Sequence, residues 1–222
     1  MILVLYASYT DIKTRRASNK LWLITGLAGL ILIITQYYSV GIENTIYLLF
    51  IPIMIFLFYV FFQFRLIFGG ADAKALMSIA ILVPIEPSIL QFPVWRNSFM
   101  PFSWSIFSNS LIVFLFIPLS LLIFNIIKRD FQFPFIFLGY KMRIDKAKKR
   151  FVWPLERIVN EKRKFVYMPK DFDSDKEYDE FEKNGIDEIW VTPKIPFMIP
   201  LLIGFICAFL LGDLLFYVIG SI

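Results

Sequence analysis

Residues 104–127 read WSIFSNSLIVFLFIPLSLLIFNII, an apolar run without one charged side chain. A helix needs about 20 such residues to cross the hydrocarbon of a bilayer. Four further apolar runs lie at residues 21–39, 46–68, 73–90 and 195–219. With a hydrophobic content of 58% and 26 Phe among 222 residues, they exclude the soluble globular class. The sequence therefore predicts an integral membrane protein.

A sixth apolar run, Met1–Thr10, is short for a membrane span. It lacks the basic start and the small-residue cleavage site of a secretory signal peptide, so we interpret it as a helix that stays in the protein. The predicted fold class is thus an all-α polytopic membrane protein with about six transmembrane helices.

Basic side chains separate the loops into two groups. The loop 10–20 carries four of them, whereas residues 39–45 carry none. Short loops rich in Lys and Arg mark the cytoplasmic side of a membrane, and alternation places residues 65–72 and 128–194 on that side too. The four basic residues of the first loop are Lys13, Arg15, Arg16 and Lys20. A multi-pass protein of the cell membrane is expected. Asp11 and Asp72 lie in the loops 10–20 and 65–72, so both are expected at its cytoplasmic surface.

Residues 128–194 hold 29 of the 41 charged side chains, too many to enter lipid. Short aromatic and β-branched runs at 151–153, 164–167 and 188–192, each close to a proline, predict strands. The acidic stretch 171–182 predicts a solvated loop or a short helix. We expect a small cytoplasmic domain of mainly-β or α+β type, inserted before the last helix.

The predicted organisation has three parts. Residues 1–127 form a membrane bundle of five helices, residues 128–194 the charged cytoplasmic domain, and residues 195–222 the final transmembrane helix. The basic cluster Lys146–Arg150 is expected to face anionic lipid at the cytoplasmic side. A nucleic-acid partner is not expected.

The absence of His and the single Cys limit the catalytic mechanisms that the chain can support. The chain has no His, and its single cysteine, Cys207, lies in the last apolar run. Zinc hydrolase sites and nucleophiles paired with His need those residues. Carboxylates remain as the catalytic groups, and we expect no cofactor and no metal.

Residues 69–74 read GGADAK and open the run 73–90. An acid at the end of an apolar stretch is costly unless it has a role. Asp72 as a plain helix cap is the alternative, but capping does not require a glycine pair. Small residues let a substrate backbone approach closely. We therefore predict a functional Asp72, with a supporting Lys74 and a substrate-approach loop that consists of Gly69, Gly70 and Ala71.

Asp11 taken alone is an interfacial acid balanced by its basic loop. Its role depends on pairing with Asp72, since two carboxylates that share a site hold one proton between them and one can activate water. Lys74 and Ser78, four apart on one helix, give a less favoured Ser-Lys pair. Glu86 and Asp213 are predicted toward the external face and outside the site.

Two other functions are compatible with these residues. Intramembrane acids also relay ions or protons, so a transporter that uses Asp11 and Asp72 is the main alternative. A scaffold whose charged segment 128–194 binds a partner is the third. Acids that lie together at one surface favour the protease over a relay across the bilayer.

Asp11 after a hydrophobic start and GGADAK at 69–74 resemble the GxGD aspartyl proteases of the prepilin peptidase type, and among them the archaeal preflagellin peptidases. The run EIWVTP at 188–193, the following Ile195-Pro196 and the late Gly212-Asp213 are similar to that subgroup, as is the charged insert. The resemblance covers nearly the whole chain.

The resemblance implies that Asp11 and Asp72 are the two catalytic aspartates. It implies cleavage of short basic leader peptides from archaellin or pilin-like precursors at the cytoplasmic membrane surface. Ala71 replaces the second glycine of the motif and adds a methyl group beside the cleavage site, which we expect activity to survive. The cysteine-rich zinc loop of the bacterial relatives is missing, so methyl transfer is not expected.

Overall fold

A computed structural model describes the chain at residues 1–14, 17–39, 41, 45–64, 66–67, 69–87, 91–95, 100–159, 162–166 and 175–220. The chain divides into two compact units: unit 1 is Met1–Phe114 with Pro196–Ile222, and unit 2 is Leu115–Ile195. Three arginines in the loops predicted to be cytoplasmic, Arg15, Arg16 and Arg65, lie outside the described residues.

Helices account for most of the described chain. In chain order they are α1 (Ile2–Thr14), α2 (Asn19–Ser39), α3 (Phe50–Gln63, after a 3₁₀ turn at Thr45–Leu49), α4 (Gly70–Leu82), α5 (Phe102–Lys128), α6 (Phe135–Leu138), α7 (Ile144–Ala147), α8 (Asp175–Lys183), α9 (Met198–Leu210) and α10 (Leu214–Gly220). The strands are β1 (Tyr140–Arg143), β2 (Val152–Pro154), β3 (Glu156–Val159), β4 (Lys162–Phe165) and β5 (Glu188–Pro193).

Two helices of the described chain, α2 and α5, are long and apolar enough to cross a membrane. The pair α9 and α10, bent by 55°, counts as a third span if it is taken as one. The runs that predict three further spans form the shorter helices α1, α3 and α4, of 13, 14 and 13 residues. The structure is thus a mainly helical membrane protein with a small sheet region.

The run 73–90 is helical only as far as Leu82, so the helix is shorter than the continuous span expected from the sequence. The reason is Pro84, since a proline disfavours helical geometry at the residue before it. Val83 there has left the helix, with φ of −137° and ψ of 81°. A turn that contains Glu86 follows.

Small residues and one hydrogen bond fix the helices that carry the two acids. Gly29 of α2 lies against Leu82, where an added Cβ would be only 2.7 Å from the Leu82 Cα and N atoms; such close approach of backbones is typical of membrane helix packing. On α1 the buried Ser8 hydroxyl lies 2.9 Å from the Met198 carbonyl oxygen of α9 and 2.8 Å from that of Val4. Both acids therefore sit on helices held by neighbours.

Unit 2 contains a three-stranded antiparallel sheet in the order β1-β5-β2 and a separate hairpin of β3 and β4. The strands predicted at 151–153, 164–167 and 188–192 appear as β2, β4 and β5, with shifted ends, and Tyr167 lies outside the described residues. The described part of the acidic stretch forms α8, which buries Tyr178 and Phe181. β1 and β3 were not predicted.

Candidate active site

Asp11 lies in the last turn of α1 and Asp72 in the first turn of α4. Both side chains line one cavity of about 430 Å³, together with Asn19, Lys74 and Met198. The glycine-rich residues that precede Asp72 line the same cavity: Gly69, Gly70 and Ala71. The structure thus brings the sequence-predicted site residues together around a single space.

The local fold places Asp72 inside the helix and not at its cap. Gly69 is the N-cap residue in an extended conformation, and its carbonyl oxygen accepts hydrogen bonds from the Asp72 and Ala73 amides, each at 3.1 Å. Asp72 is the third residue of α4, where a negative charge is favoured by the helix dipole. The plain capping role weighed for Asp72 therefore falls to Gly69.

The two glycines have different roles. The Asp72 carboxylate folds back over Gly69, so that a Cβ at residue 69 would lie 2.8 Å from the Asp72 Cγ and would collide with Oδ2. A Cβ at Gly70 would lie 3.5 Å from the ring of Phe62, an ordinary contact. Gly69 thus leaves room for the aspartate of its own chain, a reason that differs from the predicted access for a substrate backbone.

Burial and charge act together on Asp72, which is 6% exposed and lies ahead of the apolar run. Loss of solvent, and after it the charge of Asp11, raise the pKa of the Asp72 carboxyl above its usual value. Asp11 is half-buried. Two acids that repel one another in this way hold a proton between them more readily than either does alone. The pair can therefore offer one general base and one general acid.

The predicted supporting residue, Lys74, forms its hydrogen bond with Asn19 and not with Asp72. It is exposed, and its Nζ donates a hydrogen bond to the Asn19 Oδ1 at 3.1 Å, which links α4 to the first turn of α2. The buried Ser78 hydroxyl donates to the Ala75 carbonyl oxygen at 2.8 Å. These separate partners argue against a Ser-Lys pair. Asn19 was missed, although it stands in the same polar loop as Lys20.

Family models cover most of the chain. Residues 1–127 match the type IV leader peptidase family, and residues 131–214 match the model described as Archaeal Peptidase A24 C-terminus Type II. The chain belongs to the type IV leader peptidase family. Two curated relatives extend over nearly its whole length. It is 26% identical to a preflagellin peptidase of Methanocaldococcus jannaschii over 95% of this chain and 91% of the relative, and 29% identical to one of Methanococcus voltae over 95% and 92%.

Membership in the type IV leader peptidase family confirms the resemblance found in the sequence. The protein is a membrane protease that processes leader peptides, and an aspartic mechanism is consistent with its family. The transporter and scaffold alternatives lose their support, because neither accounts for a match to a peptidase family over residues 1–127.

Proposed function

We propose that the protein is an intramembrane-type aspartyl endopeptidase in which Asp11 and Asp72 are the catalytic dyad. The observation that carries the proposal is the single cavity that both carboxylates line, with the charge of Asp11 acting on the buried Asp72. Its substrates are preflagellin or pilin-like membrane precursors with short basic leader peptides. Curated relatives named preflagellin peptidase support this substrate class.

The reaction follows from one proton shared by two acids. The ionised carboxylate takes a proton from water, and the resulting hydroxide attacks the carbonyl carbon of the scissile peptide bond. The protonated partner donates its proton to the carbonyl oxygen, which forms a gem-diol. Collapse of the gem-diol breaks the C–N bond: the acid formed in the first step protonates the leaving amine, and the other carboxylate takes a hydroxyl proton from the gem-diol. The dyad ends with the same single proton, ready for another water.

The proposed arrangement in the membrane places this chemistry at the cytoplasmic surface. The basic loop 10–20 supports that side through the Lys and Arg bias of short loops. In this arrangement we propose that the chain crosses the membrane six times, five times within residues 1–127 and once within residues 195–222. The charged residues 128–194 then form a cytoplasmic domain whose Lys146–Arg150 cluster faces anionic lipid.

A cleavage assay tests the dyad. Detergent-solubilised wild type, Asp11→Asn and Asp72→Asn are compared on a preflagellin-type precursor with a basic leader, with Asp145→Asn, which alters an exposed acid of α7, as the matched control. We expect both dyad variants to bind the precursor but to lose cleavage, while the control cleaves like wild type. Cleavage that persists in either dyad variant at matched protein levels contradicts the proposal.

A further inference from the structure

Unit 1 contains a second pair of acids, Glu86 and Asp213, remote from the active site. Glu86 lies in the turn after the C-terminal end of α4, whereas Asp72 is in the first turn of that helix. The 13 residues of α4 correspond to about 20 Å of helix. Asp213 lies in the break between α9 and α10. The reaction at Asp72 uses neither residue.

Only one oxygen of the Asp213 carboxylate is used by the fold. Asp213 is 3% exposed. Its Oδ1 accepts the Phe216 amide at 3.1 Å, which caps α10, and lies 3.2 Å from the Ser108 hydroxyl. Its Oδ2 is buried and has no hydrogen-bond partner among the described residues. A buried carboxylate oxygen without a partner is costly, so a group that neutralises it is required.

Further oxygens converge on the same break. The Glu86 Oε1 is also buried and unpartnered within the described part of the chain. Gly212, with φ of +99°, brings the chain so close that a Cβ there would lie 2.5 Å from the Trp95 carbonyl oxygen and 3.5 Å from Glu86 Oε1. The Glu86 carboxylate and the Trp95 carbonyl oxygen thus both lie against Gly212, the residue next to Asp213.

The fold positions this region firmly. The Val94 and Trp95 amides donate to the Leu210 and Leu211 carbonyl oxygens, each at 3.0 Å, and the Trp95 ring stacks on Tyr217 with centroids 4.1 Å apart. On the other side the Asn109 Nδ2 donates to the Gly212 carbonyl oxygen at 2.9 Å, and the Asn109 Oδ1 accepts from the Leu214 amide at 3.0 Å. The oxygens therefore belong to a built site and not to a loose surface cluster.

We propose that Glu86, Asp213 and the Trp95 carbonyl oxygen bind a divalent cation, and that Ca²⁺ fits best. Two carboxylates supply the charge that a divalent ion neutralises. Calcium takes carboxylate and carbonyl oxygens in flexible geometry, with water completing its shell. The bound ion joins the turn after α4 to the break between α9 and α10, and so stabilises a bend that two repelling acids would otherwise open.

Thermal unfolding of the purified full chain in detergent tests the site, with Ca²⁺ added after treatment with a chelator. At a concentration about 100-fold above Kd, Ca²⁺ is expected to raise the wild-type Tm by about 5 °C or more. Glu86→Gln, which leaves the α10 cap intact, abolishes the shift. Glu180→Gln, on the exposed face of α8, retains it. In chelator Glu86→Gln unfolds no lower than wild type, because one of two repelling charges is gone.

Four results would overturn the proposal. Ca²⁺ could leave the wild-type Tm unchanged, or Na⁺ at matched ionic strength could produce the same shift. The shift could also persist in Glu86→Gln. A Tm that rises only on acidification, with no response to Ca²⁺, would show that Glu86 and Asp213 share a proton and would likewise exclude the cation. None of these readouts depends on peptidase activity, so the site and the proposed function stand or fall separately.

Discussion

Replacing Gly69 with alanine tests the proposed dyad without touching either acid. The backbone of Gly69, with φ of −92° and ψ of 119°, suits any residue. The substitution therefore adds one methyl group and little backbone strain. That methyl group occupies the space in which the Asp72 carboxylate lies, 2.8 Å from its Cγ and closer still to Oδ2.

The size of the effect follows from this overlap. Carbon atoms need a separation of about 3.5 Å, so the Asp72 carboxylate has to move by about 1 Å or rotate out of its present position. A misplacement of about 1 Å in a catalytic group can reduce the rate about 100-fold. We expect Gly69→Ala to lose about that factor in kcat. The loss of a glycine N-cap costs about 1 kcal/mol of folding free energy or less, too little to unfold the protein.

Gly70→Ala is the matched control, because its methyl group meets only the Phe62 ring at an ordinary distance. Initial cleavage rates, precursor binding and Tm are measured for both variants. We expect Gly70→Ala to stay within about threefold of the wild-type rate, a change of less than 1 kcal/mol in the barrier. Equal rates for Gly69→Ala and wild type would refute the reasoning, as would equal losses for the two variants.

Three other predictions concern titration and helix packing. The pKa of Asp72 is raised, so the proton shared with Asp11 is retained above the ordinary aspartate value of about 3.9; we expect a bell-shaped pH-rate profile with its alkaline limb above that value, and a rate that rises steadily with pH would contradict a dyad. Lys74→Ala and Asn19→Ala each lower the cleavage rate less than tenfold. The double variant lowers it no further, because both substitutions remove the same hydrogen bond between Lys74 and Asn19; additive losses would exclude a role for that hydrogen bond. Gly29→Ala lowers the free energy of unfolding by about 1–3 kcal/mol, because its Cβ meets the α4 backbone. The Cβ of Gly26→Ala makes only ordinary contacts, with an Ile81 methyl at 3.7 Å and the Ser78 Cβ at 4.0 Å, so this variant is neutral or stabilising in thermal unfolding.

The sequence was informative where a local pattern carried the signal. Charge on the short loops and the position of two acids at the ends of apolar runs predicted that Asp11 and Asp72 lie near each other, and both line the same cavity. The β-branched and aromatic run at 188–192 predicted a strand, and this strand, β5, is the central one of the three-stranded sheet. These signals lie within a few residues of the feature they predict.

The missed features depend on partners far along the chain. β1 is a four-residue strand, YKMR, that pairs with β5 some 48 residues later, and so short a charged run has no readable alternation. The collision of a residue-69 Cβ with Asp72 depends on a side-chain rotamer. The pairing of Glu86 with Asp213 depends on where α4 ends and α9 bends. Tertiary packing decides all three.

The contact between the Ser8 hydroxyl and the Met198 carbonyl oxygen joins α1 to a helix made 190 residues later. During translation α1 and α4 are complete long before α9 emerges from the ribosome. A nascent chain therefore carries both aspartates while the neighbour that steadies α1, and the Met198 wall of the cavity, do not yet exist. The complete cavity therefore forms only once α9 has joined α1 and α4.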